Sequence, residues 1–86
     1  MPGILSGTYT CKAQGIPFTF RVTWAEANGA IEWSGTMYST RRIAEISGSV
    51  LFARGADPGD LVLRAVHLKI EEYSRTHIGS VGNRED

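Results

Sequence analysis

The residues of this 86-residue chain that could do chemistry are few: one cysteine (Cys11), two histidines (His67 and His77), and an adjacent pair of carboxylates (Glu71 and Glu72). Nucleophilic catalysis needs Cys11 or a serine beside a histidine that can take its proton. Cys11 follows Tyr9 at strand spacing, on the side shared with Phe18, where a thiol behaves as a small hydrophobe. Metal binding needs three or four ligands. His67 and Glu71 form an i, i+4 pair only if their segment is helical, and two ligands do not make a site. A paired-carboxylate mechanism fails as well, because adjacent residues on a strand point to opposite faces. The glycines Gly79 and Gly82 lack the strand, helix and lysine that a phosphate loop requires. The sequence therefore predicts no catalytic residue, no metal site and no cofactor.

Composition narrows the partners. Hydrophobic residues at 42%, charged residues at 21% and zero formal net charge describe an ordinary globular domain with no overall attraction for nucleic acid or an anionic membrane. A single cysteine excludes an internal disulfide. The opening Met-Pro-Gly-Ile-Leu-Ser-Gly has neither the basic region nor the apolar run of a signal peptide, and no apolar stretch reaches the ~20 residues that span a bilayer. A cytoplasmic location is the expectation.

The elements that must position any site are strands. From Leu5 the odd residues Leu5, Gly7, Tyr9 and Cys11 alternate with Ser6, Thr8, Thr10 and Lys12. From Ile16 the phase inverts, with Ile16, Phe18, Phe20, Val22 and Trp24 apolar. A two-residue loop at Gln14-Gly15 would place Tyr9 opposite Phe20, Gly7 opposite Val22 and Leu5 opposite Trp24. Asn28-Gly29 is a strong type I′ hairpin signal and puts Trp24 opposite Trp33, Val22 opposite Gly35 and Phe20 opposite Met37. A four-residue connection over 39–42 then sets Met37 opposite Ala44, Trp33 opposite Gly48 and Ile31 opposite Val50. Ile43 and Leu51 break the pattern by falling on the outer side. That outer side otherwise carries a polar strip of Thr8, Thr10, Thr19, Arg21, Thr23, Ser34, Thr36, Tyr38 and Glu45, too poor in aromatics and cations for a nucleic-acid platform.

Residues 57–79 read two ways. As a strand, Val66 to Glu71 alternates and Asp57-Pro58-Gly59-Asp60 makes a type II turn. As a helix, Asp57 is the N-cap, Pro58 the first helical residue and Gly79 the stop. The β-branched Val62, Val66 and Ile70 and the wide apolar arc favour the strand. The leading expectation is thus an all-β fold, an up-and-down antiparallel meander of about five strands forming a small barrel or curved sheet. Its alternative is α+β, a four-stranded meander covered by a C-terminal helix over 58–77. One domain over 1–76 and a flexible tail over 77–86 complete the organisation.

Ser6-Gly7-Thr8-Tyr9 ahead of up-and-down strands resembles the glycine-then-aromatic opening of the avidin and lipocalin barrels. Those barrels use eight strands and at most five are legible here, so no binding residue is carried over.

The expected function is that of a small non-enzymatic β binding or interaction module, self-associating because long strands leave unpaired edges and a broad apolar face. A carrier of small apolar ligands, with a pocket built from Tyr9, Phe20, Trp24, Trp33 and Met37, is the second expectation. An accessory subunit or inhibitor of a larger protein is the third. Nucleic acid and membrane are not expected partners.

Overall fold

A computed structural model describes residues 2–12 and 14–78. Four strands, β1 (Gly3–Thr10), β2 (Pro17–Ala27), β3 (Ala30–Tyr38) and β4 (Ile43–Leu51), precede one helix, α1 (Pro58–Tyr73). The strands form one antiparallel sheet in the order β1-β2-β3-β4, open at both edges. The expectation of five strands closing toward a barrel is thereby corrected, and the α+β alternative describes the chain. Residues 58–73 went to a helix because burial outranks propensity. Val62, Val66 and Ile70, spaced by four, are fully buried, with Leu61, Leu63, Ala65 and Tyr73 packed beside them. A helix lying flat on a sheet needs that wide apolar arc, so the breadth that argued against a helix is what the packing uses. Lys69 sits at the border of the arc and pairs with Glu72 at 3.6 Å.

The helix start follows its local code. Asp57 accepts from the Gly59 amide at 3.2 Å, Pro58 occupies the first turn, and Asp60 adds a negative charge at the positive end of the helix. Beyond Tyr73 the chain continues through a wider π-type turn, Ser74–Ile78. Gly79, the expected stop, and most of the expected tail lie outside the described residues. His77, placed in that tail by the sequence, belongs to this turn and stacks on Tyr73 with ring centroids 4.3 Å apart.

Two of the three strand registers are those the turns dictate. Asn28 (φ 55°) and Gly29 (φ 77°) make the left-handed pair of a type I′ turn, and Trp24 faces Trp33. The connection after β3 is closed by the Ser39 amide donating to the Arg42 carbonyl at 2.8 Å, and Met37 faces Ala44, Trp33 faces Gly48 and Ile31 faces Val50. The first hairpin differs from expectation by two residues. Tyr9 faces Phe18, Gly7 faces Phe20, Leu5 faces Val22 and Gly3 faces Trp24. Gly15 (φ 70°) is left-handed but Gln14 is not, so a two-residue type I′ loop is not made. Instead the Gly15 amide donates to the Cys11 carbonyl at 2.8 Å and the Cys11 amide to the Ile16 carbonyl at 2.9 Å, giving a longer loop. A shift of two keeps every side chain on its face.

The corrected register explains the glycines. A Cβ on Gly3 would fall 2.4 Å from the Trp24 ring, and one on Gly48 would fall 2.7 Å from the Trp33 ring. Each indole therefore lies across a glycine of the neighbouring edge strand, and the row Gly3–Trp24–Trp33–Gly48 is filled from the middle outward.

Candidate functional site

With α1 in place, the apolar face has its cover within the chain. Of the five residues expected to line a ligand pocket, Phe20, Trp33 and Met37 are buried, and Tyr9 and Trp24 are half-buried against the same core. An open depression of about 1180 Å³ spans all four strands at the Gly3–Trp24–Trp33–Gly48 row. Its outward-facing walls are Ile4, Thr23, Ala25, Glu32, Ser34, Ser47 and Ser49, and Trp24 and Trp33 border it along the glycine row. Tyr9, Phe20 and Met37 do not reach it.

A second groove, of about 670 Å³, runs between α1 and the β1 side of the sheet. The helix presents Arg64, His67, Leu68 and Glu71 to it, the turn beyond the helix presents Arg75, and β1 and its loop present Tyr9 and Lys12. The Tyr9 hydroxyl donates to Glu71 Oε2 at 2.5 Å, and the Lys12 amide donates to the same oxygen at 2.8 Å. The His67 ring stacks on Tyr9 at 4.4 Å and meets Phe20 edge-on at 6.1 Å. One turn further on, the buried Ser74 hydroxyl donates to Gln14 Oε1 at 2.6 Å, a second tie between the first loop and the end of the helix.

The electrostatics follow from these contacts. Tyr9 is pushed up to about 12, first by its hydrogen bond to Glu71 and then by burial. Burial opposes ionisation of Glu71, but the Tyr9 and Lys12 donors, with Arg75 and Lys12 nearby, outweigh it and hold the carboxyl below its usual range. Burial pushes His67 down, toward the neutral ring. Burial also pushes the Cys11 thiol up. A carboxylate already bonded to two donors is a poor base at neutral pH, and a buried thiol with a raised pKa is a poor nucleophile. Among the described residues no group of three or more His, Cys, Asp or Glu could hold a metal ion, and no helix is long and apolar enough to cross a membrane.

No family model matches the chain, and no curated protein or solved structure matches it either.

The third surface is the free side of β4. Ile43 and Leu51 are 79% and 82% exposed, the two most exposed large hydrophobic residues among the described residues, and Tyr38, 51% exposed, faces Ile43 across the sheet. The sequence revealed Ile43 and Leu51 as exceptions to alternation. It missed the groove, because His67 read as a strand residue points away from Tyr9. The signal that would have found it is the helical spacing of Arg64, His67, Glu71 and Arg75.

Proposed function

We propose that this protein is a non-enzymatic interaction module that pairs with a second copy of itself, strand β4 against strand β4. The observation that carries this reading is the symmetry of the exposed residues about Ser47: Ile43 lies four residues before it and Leu51 four after it, at nearly equal exposure. A two-fold axis through Ser47, perpendicular to the sheet, would set Ile43 against Leu51 of the second copy at both ends of an antiparallel ladder. Each end would then carry an apolar row running from Tyr38 through Ile43 to Leu51 and Ala30 of the second copy. On the helix side Ala44 would meet Val50, and Ile46 would meet Gly48, extending the covered face across the joint.

Charge favours this register. The one ionisable side chain of β4, Glu45, would face Ser49 of the second copy, leaving the two Glu45 carboxylates about 13 Å apart along the ladder. That is beyond the Debye length of about 8 Å at physiological salt. β4 also carries no proline or lysine, the residues with which exposed edges are commonly blunted. β1, the other edge, begins beside Pro2 and exposes one large apolar residue, Ile4.

Sedimentation velocity over a broad concentration range tests the reading. A dimer is expected that the double variant Ile43→Lys/Leu51→Lys reduces to a monomer with an unchanged circular dichroism spectrum. A monomer at every concentration, or a dimer indifferent to both substitutions, would overturn it.

A further inference from the structure

We infer that the groove between α1 and β1 binds a small organic phosphate, held by Lys12, Arg64 and Arg75, with its organic part against Tyr9, His67 and Leu68. Three cations stand here against one carboxylate in a molecule whose formal net charge is zero. Glu71 Oε2 already accepts from the Tyr9 hydroxyl and the Lys12 amide, and this one carboxylate, with Lys12 and Arg75 near it, offsets a single charge of the three. Lys12, Arg64 and Arg75 are in no salt bridge among the described residues. Arg75 stands in the π-type turn just beyond the negative end of α1, where a cation is favoured, but that does not account for Arg64 near the middle of α1 or for Lys12 in the loop.

The chemistry of these donors selects the ligand class. Two guanidinium groups and an ammonium suit a dianion with several acceptor oxygens, and guanidinium matches phosphate in a two-bonded fork. A carboxylate would leave part of that charge unused. The groove, about 670 Å³, has the volume of a small-molecule site and far exceeds a bare phosphate. Its remaining wall is apolar or aromatic: Leu68 is 70% exposed, and the His67 ring lies stacked on Tyr9. An aromatic or aliphatic substituent on the phosphate would cover Leu68, which otherwise stands in water. This site lies on the β1 side of the sheet, and its occupancy does not depend on β4 pairing.

Titration of the full chain, followed through its amide NMR shifts, tests the assignment with phenyl phosphate, inorganic phosphate and benzoate as probes. Phenyl phosphate is expected to bind saturably, with shifts confined to residues 9–12 and 64–75 and an affinity that falls as salt rises. Inorganic phosphate and benzoate are each expected to bind about tenfold more weakly, the first lacking the apolar part and the second lacking a charge. Arg64→Gln and Arg75→Gln, both at exposed positions, should each weaken phenyl phosphate about tenfold, Arg64→Gln should leave the melting temperature unchanged, and Arg21→Gln on the outer face should have no effect. Shifts that never saturate, or that spread over Arg21, Arg41 and Arg54, would overturn the proposal. So would an affinity unchanged by Arg64→Gln, equal binding of benzoate, or a single-stranded oligonucleotide that binds more tightly than phenyl phosphate through the outer face.

Discussion

The Tyr9 hydroxyl donates to Glu71 Oε2 at 2.5 Å, so one hydrogen bond joins an edge strand to the last turns of the helix that covers it. The acceptor is ionised, which makes the bond stronger than a neutral pair. Tyr9→Phe is expected to cost about 1.5–3 kcal/mol, read as a lower urea midpoint at constant slope. In the wild type, ultraviolet titration should show one tyrosine ionising at about 12, and that step should vanish in the variant.

Three glycines on the sheet should differ in their response to alanine. A Cβ at Gly35 would lie 2.1 Å from the Arg21 carbonyl oxygen and 2.6 Å from Val22 Cα, both backbone, so nothing can move aside. At Gly48 the obstacle is the Trp33 ring at 2.7 Å, and at Gly7 the tip of Phe20 at 3.3 Å. Thermal melts should rank the losses Gly35→Ala, then Gly48→Ala, then Gly7→Ala. The first two should lie at or above the overpacking range of about 1–3 kcal/mol.

The helix contributes stability through one face. Ile70, fully buried, should lose about 2–5 kcal/mol on truncation to alanine, whereas Leu68→Ala, at 70% exposure, should stay within about 0.5 kcal/mol. Chemical denaturation of the two variants separates the faces directly.

Acid should destabilise the fold in two stages. Burial lowers the pKa of His67, so its contribution is complete above the unfolded value of about 6.5 and is lost as pH falls through the lower folded value. The Glu71 pKa is also lowered on balance, so its contribution is present above the ordinary carboxylate value of about 4.3 and is lost as pH falls through its own folded value. Denaturation midpoints measured from pH 7 downward should therefore decline. His67→Phe, which keeps a ring against Tyr9, should remove the earlier stage.

The sequence made most of the sheet legible and little of the groove. Asn28-Gly29 carries a turn code that admits one register, and the phase of β4 follows from a four-residue connection, so the pairs Trp24–Trp33 and Met37–Ala44 follow from the amino-acid sequence alone. Gly15 carries half of the same code, and one left-handed residue does not distinguish a two-residue loop from a longer one. Residues 57–79 satisfied both a strand and a helix locally. Only the presence of a four-stranded face to lie on favours the helix, and that is a tertiary fact. His67, Glu71 and Arg64 could not be grouped until that choice was made.

Pairing of β4 about Ser47 is most directly tested by a single cysteine at the proposed axis. In that arrangement the Cα atoms of residue 47 in the two copies lie about 5 Å apart, within disulfide range. Residue 49 would lie about 13 Å from its own counterpart. Cys11 is fully buried and its thiol is pushed up by burial, so it does not compete. Under mild oxidation Ser47→Cys should convert to a covalent dimer on non-reducing gels, and Ser49→Cys should not. Equal crosslinking of both variants, or none at position 47 at concentrations where the protein sediments as a dimer, would contradict the account.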